Sequence, residues 1–500
     1  MTKRIFALLL VLAMAFSIAA CTPNEEESSG TSSVASEDVS SEVESKEESS
    51  SSKNSASKAE SNKKPTGKTI NTSDRVRPTA FKLPSTESQM KGLDFGGKTF
   101  QIAITNEQTY HTKSFEDLLR AFEKQYNCKL KVVQYPFFEY NQKLRNAVSG
   151  GGKSVPEITF MHGNFYIDAL TDNLYQDLTP YLTMDDVMKK NNHAAGGLDP
   201  EKTAYFTYNK KIYGICDYES LYPYVMYYNK LQAQAKGYDP RSQANKAGQW
   251  TWDKIYQVGS NKAKFTDPSK DTYFLDYHTA GRPITLSYGA PVVKFKNGKY
   301  TSNISSKAYK SGLDMIKKLF AGNKRVGDPK EMTTTEGYFE GLLNKDIFLS
   351  AEESSKFVNL SQFAEKSATF NKKISNIGVV EMPLGGGNKL YPTGWLTGVT
   401  APKSKDVDPR VAVAFALFRA KYTPARNRYQ MAPADEKYVL DLIKGGFVCE
   451  PANFKSSDDS TADVQIEAWK IAIKGGDIAK ATANDNRINK IIKDATKKLK

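Results

Sequence analysis

The sequence predicts an α/β protein of two lobes set behind a disordered tether. Three observations carry that expectation. Strand-like and helix-like segments alternate from Lys98 onward, which opens a mostly parallel sheet. The folded body, Leu93 to Lys500, is longer than one ordinary domain. The stretch before it is too polar to bury a core.

The chain opens "MTKRIFALLLVLAMAFSIAAC". Lys3 and Arg4 precede an apolar run from Ile5 to Ala20, shorter than the roughly 20 residues that span a bilayer. A basic start, a short apolar run and small residues at its end predict a signal peptide over 1–20. The ending "IAAC" resembles a bacterial lipobox, which makes Cys21 the candidate lipidated (palmitate-bearing) residue; the alternative is an ordinary signal peptide with an incidental Cys. Such a lipid anchors a protein to a membrane face without spanning it. Residues 21–92 are mostly Ser, Glu, Lys, Asn and Thr, acidic in the first half and basic in the second, and read as a solvated linker.

Within the body, "KTFQIAIT" (Lys98–Thr105) reads as a buried strand. In "SFEDLLRAFEKQYN", Phe115, Leu118, Leu119, Phe122 and Tyr126 form one apolar helical stripe, with Ser114 as its cap and Asp117 in the acidic position of a capping box. "KLKVVQYP" is the second strand, "FEYNQKLRNAV" the second helix and "PEITFMHG" the third strand. The intervening "GGGKS" (Gly150–Ser154) suggests a phosphate-binding loop, but that motif needs a glycine where Ala147 stands and follows a strand rather than a helix. The glycines read instead as a helix stop.

Composition narrows function further. The net charge of +14 admits a nucleic-acid binder, but the lysines are scattered and no recognised motif accompanies them, so a basic surface near anionic polymers or lipids is expected, with no nucleic-acid partner. Cys128, Cys216 and Cys449 are widely spaced, imply no disulfide framework and leave open whether one pair forms. No metal-ligand spacing, catalytic triad or cysteine-protease signature is present, so no metal and no cofactor are expected. No second long apolar run appears, so the body is expected to be soluble.

The segments "AFEKQYNCKLKVV" and "SGGGKSVPEITFMHGNF" resemble the extracellular solute-binding proteins of ABC-type importers, in particular the family 1, sugar-binding, maltose-binding-protein-like kind. "KKIYGICDYESLYPYVMYYNKL" resembles the family's crossing strand between lobes, and "QWTWDKIYQVGSNKAKF" its "TWDEL" helix. "SYGAPVVKFKNGKYTSNISSKAYKSGLDMIKKLF" and "ISNIGVVEMPLGGGNKLYPTGWLTGVTAPKSKDVDPRVAVAFALFRAKY" follow in the family's order. Two departures stand out. Pro156-Glu157 replaces the usual Pro-Asp, and "LLNKDIFLSAEESSKF" replaces a Gly-x-x-Ala-Met run.

The resemblance implies a type II periplasmic-binding-protein-like fold with a hinge between lobes. The first lobe would be 93–217 plus about 375–435, the second 218–374 plus about 436–500. It implies a monomer, not an enzyme, that captures a mono- or oligosaccharide in the cleft and delivers it to a membrane permease from the outer face of the cell membrane. Glu107 matches an acidic ligand position, with Asn106 and Gln108 beside it; a strand-end turn with local hydrogen bonds is the alternative. Gly163 and Asn164 would edge the cleft, and Phe165 would offer a ring to a sugar face, while the lone His162 reads as structural. Glu219 aligns with another acidic ligand position, with Tyr218 beside it; a hinge role is the alternative. Trp395 in "PTGWLTGV" is the leading stacking residue, with a core role as its alternative. Arg282, Tyr288, Glu352 and Glu353 are the second-lobe candidates. Trp252 and Trp469 read as structural or core.

Two other readings remain. Glu107 and Glu219 facing one cleft would suit a glycoside hydrolase, whose carboxylates stand about 5 or about 6.5–9.5 Å apart. The same fold would also suit a peptide, polyamine or glycerol phosphate.

Overall fold

A computed structural model describes residues 93–500 except 106–112, 183–197, 218–219, 247, 262–264, 266–272, 277–280, 297–298, 323–325, 329–340, 344–346, 358–373, 386–392, 422–430, 445–447, 451–452, 457–458, 498 and 500. The expected signal peptide, Cys21 and linker lie outside the described residues, as do Asn106, Glu107, Gln108, Tyr218 and Glu219. Among the described residues no helix is long and apolar enough to cross a membrane.

The opening follows the predicted order. Strand β1 (Thr99–Thr105) leads to helix α1 (Lys113–Tyr126), strand β2 (Lys129–Tyr135), helix α2 (Tyr140–Gly150) and strand β3 (Ile158–His162). β1 pairs in parallel with both β2 and β3. The α1 stripe is buried as its spacing requires: Phe115, Leu118, Leu119 and Phe122 pack with Ile102, Ile158, Val399 and Phe415. Ser114 is not the cap. The helix already includes Lys113, so Ser114 sits in its first turn, and the residues before it lie outside the described ones.

The "GGGKS" stretch ends a helix. Gly150 is the last residue of α2, and the Gly151 N–H donates to the Ala147 carbonyl at 3.0 Å. Gly151 has φ 65° and ψ −169°, a conformation open essentially to glycine alone, and it turns the chain toward β3. The Gly152 N–H, which a phosphate loop would aim at its ligand, donates to Asp406 Oδ2 at 3.2 Å.

Apart from a short antiparallel pair, Thr207–Tyr208 with Lys211–Ile212, the remaining strands complete one sheet or form a hairpin. They are β4 (Leu221–Asn229), β5 (Tyr273–Leu275), β8 (Ile347–Glu353), β9 (Ile377–Glu381), β10 (Thr393–Thr400) and β11 (Val448–Cys449); β6 (Val293–Lys296) and β7 (Lys299–Ser302) form a separate hairpin. The path across the sheet is β2-β1-β3-β10-β4-β8-β5, with β9 on β4 and β11 on β10. Two strands change partners along their length. β4 pairs with β10 through Leu221, Tyr222 and Pro223, then with β8 from Tyr224 and β9 from Val225. β10 pairs with β4 through Gly394, Trp395 and Leu396, then with β3 from Thr397.

Helices cover this framework: α3 (Trp252–Gly259), α4 (Gly281–Ser287), α5 (Lys307–Phe320), α6 (Pro409–Lys421), α7 (Pro433–Lys444), α8 (Thr461–Ile473) and α9 (Asp485–Lys497). Thr251 caps α3 by accepting the Lys254 N–H. Trp252 is fully buried and donates its indole N–H to Ser287 Oγ at 2.7 Å, so the structural expectation for it holds. Trp469 is buried in the same cluster as Trp252, Leu313 and Ile488. Cys128 and Cys216 are buried free thiols, so neither enters a disulfide.

Candidate functional site

The carboxyl end of β3 and the turn after β2 bring three rings together. Phe137 lies edge-on to His162 at 5.3 Å, 5.0 Å from Phe165, and His162 is 5.8 Å from Phe165. All three are half-buried. Pro136 ends β2 by its missing N–H and delivers Phe137 to this edge. Gly163 is buried in the turn that carries Phe165.

His162 identifies what stands near these rings. Its imidazole is pushed down to about 3, first by burial and then by the charges of Arg282 and Lys356. Arg282 comes from α4 and Lys356 from the turn after β8, so charges from both of these elements act on the end of β3.

Arg282 reaches an amide and a ring. Its Nε and Nη2 donate to Gln465 Oε1 at 3.4 and 3.3 Å, and its guanidinium lies 5.8 Å from the Trp469 ring. Gln465 reaches Glu450 Oε2 at 3.5 Å, while Glu450 Oε1 accepts the Val293 N–H at 2.9 Å. Burial raises the Glu450 carboxyl to about 7 against these partners and Arg282. Tyr224, buried on β4, feels Arg282, Glu353 and Glu352 together, and burial drives its phenol well above the usual range.

The end of β8 supplies acids. Glu352 is buried; its carboxyl is raised by desolvation and then by Glu353, with Lys356 opposing, and its Oε1 accepts the Glu353 N–H at 2.8 Å. Glu353 is half-buried, accepts Ser355 Oγ on Oε2 at 3.2 Å, and its carbonyl accepts the Tyr227 hydroxyl at 2.9 Å. Behind them Asp276 is raised to about 7 by burial, with Ser350 Oγ and the Ala351 N–H as donors.

A family model of bacterial extracellular solute-binding proteins matches residues 117–438. The chain belongs to that family. This solute-binding protein also resembles solved structures, each at low identity. The galacto-N-biose-/lacto-N-biose I-binding protein of the ABC transporter from Bifidobacterium longum, in complex with lacto-N-biose, gives a TM-score of 0.57 at 14% identity, over 81% of this chain and 98% of its own. The sugar-binding protein MalE from Xanthomonas citri gives 0.57 at 13% identity, over 79% and 97%. An ABC substrate-binding protein from Listeria monocytogenes in complex with cycloalternan gives 0.54 at 16% identity, over 81% and 99%. At these identities the likeness establishes the fold, the two-lobed type II binding-protein architecture. No curated protein sequence matches the chain.

Arg282, Glu352, Glu353, Gly163 and Phe165 thus fall in one neighbourhood of the solute-binding protein. Burial raises the Tyr288 phenol to about 12, with the charges of Asp253 on α3 and Asp314 on α5 adding to the shift. Trp395 lies on β10 opposite Tyr222, and its side chain, like that of Asn164, lies outside the described residues. Sequence reading missed Phe137, Tyr224, Lys356, Glu450 and Gln465. Phe137 carried a signal, an aromatic just past a strand-ending proline; the others are joined to the site only by long-range packing.

The His162 shift has a measurable consequence. Between about 3 in the fold and the ordinary 6.5, the unfolded chain holds a proton that the folded one does not, so stability falls as pH drops below 6.5. The melting temperature of the native protein is therefore expected to drop relative to that of His162→Gln between about pH 7 and about pH 5. Parallel curves for the two proteins would show that His162 is protonated as freely in the fold as outside it.

Proposed function

We propose that this solute-binding protein captures a carbohydrate between its two lobes and delivers it to the membrane permease of an ABC importer. The observation that carries the reading is the Phe137–His162–Phe165 ring cluster placed near Arg282, Lys356 and the Glu352–Glu353 pair. Rings suit the C–H face of a sugar, and the charged and protonated groups suit its hydroxyl rim. The ligands named for the similar structures, lacto-N-biose and cycloalternan, favour the same class.

In this reading the lobes meet where β4 and β10 change partners, so the chain crosses at Leu221–Val225 and returns at Thr393–Thr397. Closure is a hinge motion at those strands, the transition for which periplasmic binding proteins are a standard example. Solute favours the closed form because only that form supplies both walls. Glu107, Asn106, Gln108, Asn164, Tyr218, Glu219 and Trp395 are further proposed ligand residues, and Cys21 the lipid attachment that holds a monomer at the outer membrane face.

A thermal-shift screen against a panel of mono- and oligosaccharides tests the proposal. At least one sugar is expected to raise the melting temperature, by an amount that grows with its concentration above Kd. Stabilisation by a peptide, polyamine or phosphate ester with no response to any sugar would overturn the carbohydrate class.

A further inference from the structure

A buried ion pair sits at the foot of the crossing strand. Asp217 is fully buried and Arg419, on α6, nearly so. Arg419 Nε donates to Asp217 Oδ2 at 2.6 Å and Nη2 to Oδ1 at 2.7 Å, a two-point fork. Nη2 also donates to Ser220 Oγ at 2.8 Å, and Ser220 Oγ in turn donates to Asp217 Oδ1 at 2.9 Å. The Ser220 N–H reaches the Asp217 carbonyl at 3.0 Å. The guanidinium lies over Phe160 of β3 at 5.0 Å and near Phe415 at 5.9 Å, so it belongs to the β3–α6 side of the sheet.

The position of this fork is informative. Ser220 immediately precedes Leu221, the first residue of β4. Three residues later β4 leaves β10 for β8 and β9, and Pro223, at that change, has no N–H to give. Just upstream, Ile215 bridges to Val399 and Leu198 to Asp217. The chain is thus tied to the first half of the sheet up to Ser220 and released to the second from Tyr224.

Such a fork fixes orientation as well as distance, which a single cation or a hydrophobic contact does not. Buried ion pairs commonly add little net stability over a well-packed apolar replacement. A group of this kind so close to the hinge is better explained by direction than by stability. We propose that Asp217, Ser220 and Arg419 are positioning residues for solute capture. They pin the first end of β4, so that rotation of the lobes is confined to the short stretch where β4 and β10 change partners. The inference rests on the lobe-closing reading above but not on the class of solute.

The test uses the full chain without solute. In Asp217→Leu/Arg419→Met both charges go together, so no ion is left buried alone, and the melting temperature is expected to stay within about 5 °C of native. Hydrogen exchange followed by mass spectrometry is expected to be at least about tenfold faster in Leu221–Asn229 and Thr393–Thr400, with Thr99–Thr105 and Lys307–Phe320 unchanged. Arg419→Lys keeps the charge but loses the fork; it is expected to give the same local pattern and serves if the double variant folds poorly. Native exchange in both crossing strands, or acceleration spread evenly to β1 and α5, would overturn the proposal. Because no ligand is present, an error in the solute class leaves this result untouched.

Discussion

Replacing Arg419 with alanine alone is expected to destabilise the fold by about 3–5 kcal/mol, measured by urea unfolding. The size follows from what is left behind. Asp217 has no exposure to water, and its two strongest donors are the Nε and Nη2 of Arg419. Without them the carboxylate keeps only Ser220 Oγ among its side-chain partners described here, and the cost is that of an uncompensated buried charge. The aliphatic stem and the guanidinium face over Phe160 also go, leaving a cavity between α6 and β3. The contrast with Asp217→Leu/Arg419→Met matters: the single variant should be far less stable than the double. An Arg419→Ala protein within about 1 kcal/mol of native would mean that Asp217 finds water or another donor.

Arg282→Ala is expected to weaken solute binding by about 10- to 100-fold, read by titration calorimetry with whichever sugar the panel identifies. Arg282 links several parts of the candidate site: its charge acts on His162, Tyr224 and Glu450, and its fork reaches Gln465 beside the Trp469 ring. A charged donor fixed in advance gains more per hydrogen bond than a mobile one, because little ordering remains to be done on binding. The variant should fold, since Arg282 is half-exposed. Unchanged affinity at native melting temperature would remove Arg282 from the ligand set.

Much of this was legible in the chain. The stripe Phe115–Leu118–Leu119–Phe122 has helical spacing, and a helix in that register has only one face to bury. The order of strands and helices through His162 and the helix stop at Gly151 are local properties of turn and side-chain chemistry, and they were read correctly. The helix start was misplaced by two residues because cap and first turn favour similar residue types. The candidate site divided differently. Phe165 could be named from its place just past the third strand, and Glu352 only as a second-lobe candidate in a stretch that departs from the family pattern. Lys356, Glu450 and Gln465 could not, since nothing in their neighbouring residues marks Gln465 and Glu450 as the company of Arg282, or Lys356 as a charge beside Glu352 and His162.

What the sequence determined by itself was periodicity and punctuation: which segments are helices or strands, where glycine and proline break them, and so which fold class can accommodate them. These are set by contacts a few residues apart, which the chain writes directly. What only the tertiary structure decided was the company each side chain keeps. Arg419 meets Asp217 across 202 positions, and Arg282 meets Gln465 across 183. Such pairings form when sheet and helices bring distant segments together, and their energies depend on the burial that packing creates.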